Sequence, residues 1–387
     1  MYAIEVIESE EQLAARKDEW EAFLRDAPAH EYHHHPANIG LLLRHLYTDT
    51  SLRVFLIRKE GTLCCIAPFS LERSHFNLKF GTVTLWNNAV HQYTLLGTRI
   101  VFATGADPGP CLGILAEELR GRRDEYDLIF MESLSYGSPL YTIENPLPGF
   151  SIYPISIHKN VVRGLRTSDS FSEYLATLRK KRRYNLKRSV RMLERAAGKD
   201  YRVERITGAA QVEGFLEAVD YIFVRCWQRH THKGYRHLTD GNVAYHQGLA
   251  NLGWLRSYLL YCKQQPVAYV IGYQYRGRYY YEYIGYDQAW AEFSPGTILT
   301  FLMIEDIHTV DRPEILDFGF GENVYKQIFG NYSYEANNSY LVLRDSRMRI
   351  AAQAQLELSR VYCSIYPALV KCGLDRPIRK VLRRIGR

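Results

Sequence analysis

The stretch Leu316-Asp-Phe-Gly-Phe-Gly-Glu-Asn-Val-Tyr-Lys-Gln-Ile-Phe-Gly330 says more about the fold than any other. Residues 315–319 read as a short strand that runs into glycines, after which the chain re-enters a short helix carrying the adjacent pair Tyr325 and Lys326. A carboxylate at a strand end, Asp317, two glycines and a Tyr-Lys pair describe a site on loops held by rigid strands. The glycine spacing is not G-x-G-x-x-G, so a dinucleotide-binding turn is not indicated.

Upstream, Ser294-Pro-Gly-Thr-Ile-Leu-Thr-Phe-Leu-Met-Ile-Glu-Asp-Ile307 reads as a helix opened by proline and glycine. Its free N–H groups and dipole make an anion site in principle. Before it, Tyr279-Tyr-Tyr-Glu-Tyr-Ile-Gly-Tyr286 is a β-rich run with a carboxylate, Glu282, inside it. Strands are expected at Trp254–Cys262, Val267–Arg276 and Arg278–Tyr286, behind helices near 170–196, 211–229 and 240–252. The first half repeats this order. Helix Glu10–Arg25 precedes a hairpin of Leu52–Arg58 and Thr62–Leu71, then a Pro/Gly-opened helix from Asp107 and a strand at Asp127–Ser133. The shared order predicts a duplication, with its boundary in the Pro/Gly-rich segment Pro139–Pro154. The expected class is α/β (α+β): two lobes, each a mixed, mostly antiparallel sheet flanked by helices. The lobes span 1–157 and 158–345, and a helical, basic tail covers 346–387.

The 387 residues carry a net charge of +7, and that charge is concentrated. Between Arg179 and Arg191 stand Arg179, Lys180, Lys181, Arg182, Arg183, Lys187, Arg188 and Arg191 with no acid. A second block holds Lys371, Arg376, Arg379, Lys380, Arg383, Arg384 and Arg387 against Asp375 alone. Three readings of the first block stay open: a solvated helix face, a nucleic-acid surface, or a site for a polyanionic small ligand. In the second, Ile378, Val381, Leu382 and Ile385 fall at helical spacing opposite cations, the pattern of a basic amphipathic helix on an anionic membrane surface. A disordered basic tail is the alternative. Leu358, Val361, Tyr362, Ile365, Tyr366 and Leu369 make an apolar stripe expected to pack on the body.

Composition excludes several classes. Hydrophobic content of 47% with 24% charged residues is globular, and no apolar run is long enough to span a bilayer. No signal peptide is readable in the acidic N-terminus. Seven cysteines without a C-x-x-C pair indicate neither a disulfide framework nor zinc, which fits a reducing, cytoplasmic setting. His30, His33, His34 and His35 cluster too tightly for one metal and read as a polar loop at the rim of a cleft. His230, His232 and His237, in a loop with Arg225, Arg229, Lys233 and Arg236, suit a sugar or phosphate acceptor.

The order hairpin, S-P-G-T helix and D-F-G-x-G-x-x-x-Y-K-x-x-F-G resembles the GNAT superfamily of acyl-CoA N-acyltransferases. Within it the likeness is to the branch grouping CelD-like cellulose and exopolysaccharide biosynthesis proteins with FemAB-type aminoacyltransferases. Phe171-x-x-Tyr-Leu-x-x-Leu-Arg-Lys-Lys-Arg-Arg-Tyr-Asn-Leu-Lys-Arg188 and the spacing Phe223, Trp227, Gly234 resemble that branch as well. The resemblance covers residues 160–345 and reaches the first half only through architecture.

The resemblance implies tandem GNAT-like lobes, the first degenerate and the second catalytic. It implies an acyl-CoA such as acetyl-CoA as co-substrate, without a metal. The donor's pantetheine arm would lie against the backbone of Tyr283, Ile284 and Gly285, with its pyrophosphate on the amides of Ser294, Gly296 and Thr297. Tyr325 would protonate the leaving thiolate, Lys326 would steady the oxyanion, and Glu282 or Asp317 would serve as base. Arg182, Arg183, Trp227, Arg229 and His230 would face the acceptor, an amine or hydroxyl of a sugar or lipid-linked glycan precursor. The full Q/R-x-x-G-x-G/A phosphate loop is absent, so an aminoacyl-tRNA donor, as in FemAB relatives, is the sister reading. A non-catalytic nucleic-acid or membrane adaptor is the reading from another class.

Overall fold

The computed structural model describes residues 1–371 apart from 48, 82, 199, 227, 228 and 230–235, and the chain divides into two units. One holds residues 1–160 and resumes at 335; the other is the continuous stretch 161–334. The last strand and the helix after it therefore go with the first unit, where the sequence placed residues up to 345 in the second lobe.

In the first unit, β1 (Tyr2–Ile7), β2 (Ser51–Lys59), β3 (Thr62–Phe80) and β4 (Val83–Leu95) pair antiparallel in that order. Between β1 and β2 run α1 (Glu10–Asp26) and α2 (Pro36–His45). Ser9 caps α1 by accepting from the Gln12 N–H at 3.2 Å, and Leu13, Trp20, Phe23 and Leu24 are buried beneath it. After β5 (Val101–Phe102), α3 (Pro108–Gly121) crosses over to β6 (Leu128–Ser135), which lies parallel to β4. Then follow α4 (Pro139–Thr142) and β7 (Phe150–Pro154).

Two expectations change here. The strands β3 and β4 make a hairpin reaching Phe80 and Val83, well past Leu71, because polar residues such as Arg73, His75 and Asn77 alternate along an otherwise pairable strand. Within the histidine cluster, His34 is internal structure rather than part of a cleft rim. His34 is fully buried, accepts from the Glu31 N–H at 2.9 Å and bonds the Arg99 carbonyl at 3.0 Å. His35 caps α2 through the Ala37 N–H. Burial pushes the His34 imidazole down to about 4.

The second unit repeats the plan. It opens with β8 (Asn160–Arg166), α5 (Phe171–Thr177) and α6 (Lys180–Ala196). The expected single helix is thus two, with Leu178 and Arg179 extended between them. Five successive cations, 179–183, interrupt the apolar stripe, and burial resumes at Leu186 and Leu193 on a new axis. Next come β9 (Tyr201–Ile206), α7 (Val212–Phe223), α8 (Asp240–Asn251), β10 (Ser257–Cys262), β11 (Gln265–Tyr275) and β12 (Arg278–Tyr286). β9 through β12 pair antiparallel in sequence order. After α9 (Pro295–Thr309), β13 (Ile315–Phe320) lies parallel to β12 and antiparallel to β8, and α10 (Val324–Phe329) follows. Finally β14 (Tyr332–Leu343) brings the chain back to β6 and β7, and α11 (Arg347–Lys371) ends the described part. The basic residues from Arg376 onward lie outside the described residues.

Candidate active site

The parallel ladder of β12 and β13 is short: Arg278 faces Ile315, Tyr279 faces Leu316 and Tyr280 faces Asp317. It stops there, although β12 continues to Tyr286. Two bulges sit at its end. Against β11, Gly272 faces Tyr281 and Ile271 faces Tyr283, which leaves Glu282 as the extra residue. Against β8, Asp317 faces Gly164 and Phe320 faces Val162, so the second bulge covers Phe318 and Gly319. Gly319 has a φ of +71°, a left-handed conformation in which a side chain would be strained.

On the α9 side, the Tyr281 hydroxyl donates to Thr300 Oγ1 at 2.6 Å, and Thr300 in turn donates to the Gly296 carbonyl at 2.9 Å. The bulged strand is thereby tied to the first turn of α9. Ser294 itself has a φ of +55°, and its N–H is taken by the Ala291 carbonyl at 3.0 Å. Of the three amides expected to meet a pyrophosphate, those of Gly296 and Thr297 remain, in the first turn where α-helical N–H groups have no intrahelical acceptor. The residues present therefore fit an anionic donor group, with two amides rather than three.

Tyr325, on α10, packs its ring 5.7 Å from Tyr281 and 5.9 Å from Phe318. Its hydroxyl makes no hydrogen bond among the described residues, and burial raises its pKa, keeping the proton on at neutral pH. That is the state a proton donor needs.

The neighbouring lysine is occupied differently from expectation. Lys326 is 7% exposed, and its ammonium donates to the carbonyls of Gly319 at 3.0 Å and Phe320 at 2.8 Å. Burial lowers its pKa to about 8, opposed by Asp317 and Glu322. Asp317 accepts from the Gly319 N–H and from Arg278 Nη1, both at 2.8 Å. Lys326, Asp317 and Arg278 thus pin the β13 bulge in place. Glu282 stands exposed on the other bulge, beside Tyr283, the backbone of Ile284 and buried Gly285. Tyr332 is wedged against Gly164, where an added Cβ would lie 2.4 Å from its ring. Its pKa is pushed up to about 12 by burial and then by Asp317.

The arginines expected to face an acceptor are engaged at helix ends. Arg182 donates to the Gln327 and Ile328 carbonyls at 3.2 and 3.0 Å, Arg183 to Leu175 at 3.1 Å, and Arg229 to Val224 at 3.2 Å. Each satisfies carbonyls that a helix C-terminus leaves open. Trp227 and His230 lie outside the described residues. The cations left outward on α6 are Lys180, Lys181, Lys187, Arg188, Arg191 and Arg195, with an exposed Tyr184 among them. His237, which the sequence placed in an acceptor loop, has its ring 6.0 Å from both Tyr269 and Tyr283. Sequence reasoning missed Arg278 and Thr300. The only prior signal for them was position: Arg278 opens the tyrosine strand, and Thr300 falls on the helix after the S-P-G-T turn. Among the described residues no group of three or more His, Cys, Asp or Glu side chains is placed to hold a metal.

Residues 180–327 match the family model described as Acetyltransferase (GNAT) domain. This stretch is a GNAT acetyltransferase domain, which supports an acyltransferase of GNAT type. Among solved structures, FemX superposes with a TM-score of 0.57 at 12% identity, covering 87% of this chain and 98% of that one. The C-terminal domain of a putative lysylphosphatidylglycerol synthetase from Agrobacterium fabrum gives 0.51 at 12%, covering 91% and 97%. A tandem GNAT protein from the clavulanic acid biosynthesis pathway gives 0.50 at 11%, covering 88% and 98%. At these identities the likeness shows a shared fold, here the tandem GNAT arrangement. No curated protein matches the sequence.

Proposed function

We propose that the second unit transfers an acyl group from acyl-CoA, acetyl-CoA in the simplest case, to an amine or hydroxyl of a sugar or lipid-linked glycan precursor in cell-envelope or exopolysaccharide biosynthesis, as in the CelD-like branch. The observation that carries this reading is the short β12–β13 ladder with Tyr325 beside its end. The thioester would lie past Tyr280, its carbonyl against the backbone of Tyr283 to Gly285 and its pyrophosphate on Gly296 and Thr297. Tyr325 would give its proton to the departing thiolate. Glu282, on the exposed bulge, or Asp317, which also accepts from Gly319 and Arg278, would serve as the base. Lys326 acts by holding the bulge. The acceptor would be met at the cytoplasmic face of a membrane, with the basic residues 376–387 drawn to anionic lipid.

An aminoacyl-tRNA donor is the second reading, favoured by the outward cations of α6 around Tyr184. One experiment separates the two: incubation with labelled acetyl-CoA, a longer acyl-CoA and charged tRNA, with several sugar acceptors. Consumption of a CoA thioester supports the first reading. Consumption of charged tRNA alone overturns it in favour of the second.

A further inference from the structure

A surface remote from this site in sequence, in the first unit, stands out for what it leaves uncovered. The β3–β4 hairpin carries a bulge near its tip, where Leu78 faces Trp86 and Lys79 faces Thr84, so that Leu85 is the extra residue. Leu85 is 48% exposed and Trp86 44%. Such a bulge swings side chains out of the strand plane, and here Leu85 and Trp86 are left to solvent. The tip is joined to the end of α11. Tyr362 packs edge-on against Phe80 at 5.3 Å, and Gly81 has no room for a Cβ beside the Tyr362 ring, 2.3 Å away. Further back, Gln355 accepts from the Lys79 N–H at 2.5 Å.

The stripe on α11 that the sequence assigned to packing on the body does so only in part. Tyr362 is docked on the hairpin, while Val361 is 52% exposed and Ile365 39%. Hairpin tip and helix end together place Leu85, Trp86, Val361 and Ile365 in water. An isolated exposed leucine needs no explanation, but two apolar pairs on elements that touch one another do.

Charge says what would cover them. Residues 73–91 contain no acid, and neither do 358–371. Arg73, Lys79 and Lys371 stand in those two stretches beside Arg360, which pairs with Glu357 at 2.7 Å, and the remaining chain adds Arg376, Arg379, Lys380, Arg383, Arg384 and Arg387 against Asp375. A second copy of the chain would bring the same cations face to face. An anionic bilayer supplies both missing partners: acyl boundary for Trp, Leu, Val and Ile, and phosphate for the cations.

We propose that the β3–β4 hairpin tip and the last turns of α11 form a built membrane-docking face, specific for anionic lipid, through which Leu85, Trp86, Val361 and Ile365 enter the interface. The inference shares with the proposed function the idea that the acceptor is reached at a membrane, but it does not depend on the transfer chemistry. It also differs from attachment by the basic C-terminal residues alone, because it assigns the affinity partly to folded apolar side chains.

The test is co-sedimentation of the full chain with vesicles of phosphatidylcholine and with equimolar phosphatidylcholine and phosphatidylglycerol. Binding is expected to the mixed vesicles and to weaken with added salt. The double variant Leu85→Ser/Trp86→Ser should lose about tenfold in affinity, and Val361→Ser/Ile365→Ser about as much, since each pair removes interfacial apolar area worth a decade or more. Folding of each variant is checked by circular dichroism, and acyl-CoA turnover with a soluble acceptor should be unchanged. Quenching of tryptophan emission by brominated lipid should fall in Trp86→Phe, a change that preserves packing. Unaltered vesicle binding by both double variants would overturn the proposal and leave the basic residues as the whole anchor. Equal binding to neutral vesicles, or a dimer in solution that the α11 variant dissolves, would overturn it as well. Loss of turnover with intact vesicle binding would count against the transfer reading and leave the docking face standing.

Discussion

The two units cross from one strand to a parallel neighbour in the same way, and the difference lies in what fills the crossing. In the first, β4 pairs with β6 from Gln92↔Leu128 to Thr94↔Phe130 and then ends at Leu95; in the second, β12 runs on past Tyr280 to Tyr286. Both outgoing strands bulge soon after, one residue past the ladder in β13 and two in β6. Met131 faces Ser339 and Leu134 faces Asn337, with Ser133 at a φ of +52°, just as Asp317 and Phe320 flank Gly319 at +71°. Asp317 is therefore matched by Met131. Counting from the start of the helix that follows, Tyr325 and Lys326 are matched by Leu140 and Tyr141. One frame thus carries Asp317, Tyr325 and Lys326 in one unit, and Met131, Leu140 and Tyr141 in the other. Only the second falls within the residues that match the acetyltransferase family. Duplication preserves the bulge because backbone pairing requires it; chemistry needs the side chains as well.

The largest test of that contrast is Tyr325→Phe. Loss of a positioned proton donor should lower kcat by about a hundred- to ten-thousandfold with little change in thermal stability. In the first unit Tyr141→Phe, at the position matched to Lys326, removes a hydroxyl bonded to Ser339 at 2.8 Å; it should leave turnover untouched and cost about 1 kcal/mol. Similar kinetics for the two variants would break the comparison.

Lys326→Met should follow, at about 2–3 kcal/mol, because two carbonyls lose their donor. Its pH dependence has a definite sign. Between about 8 and the ordinary lysine value of 10.5, the unfolded chain holds a proton that the folded chain has released. Stability therefore rises with pH across that window, and the advantage of wild type over Lys326→Met should widen there. Melting curves of both proteins from pH 7 to 10 check it; parallel pH profiles would refute the shift.

Smaller and opposite effects are expected at the paired bulges. Gly319→Ala meets no atom, so its cost is backbone strain alone, about 1–2 kcal/mol. Ser133→Gly relieves the same strain in the first unit, and the melting temperature should hold or rise slightly, the gain staying under about 1 kcal/mol. Destabilisation of equal size at both positions would show that the bulges are not equivalent.

Much of the second unit was legible in the sequence because glycines and prolines punctuate it. Gly277, Pro295 and Gly319 bound β12, α9 and β13, and these elements fall almost where they were expected. The β3–β4 hairpin was not legible, since polar side chains mask its period, and neither was the break at Leu178–Arg179, which follows from charge crowding rather than a breaker residue. Tyr325 could be proposed from its motif. The occupation of Lys326, Asp317 and Ser294 could not, because it depends on which carbonyls and amides the fold delivers to them. Arginines in a basic run look alike on paper; only helix ends reached from elsewhere in the chain distinguish Arg182 from Lys187.

The division of the chain also bears on the order in which the protein is made. The second unit is one uninterrupted stretch, whereas the first must wait for β14, which pairs with β6 and β7 from the far end of the sequence. During synthesis the continuous unit has all its strands while the earlier-made one still presents the edge of β6. A chain truncated after residue 334 would therefore expose the older unit, not the newer one, to proteases and chaperones.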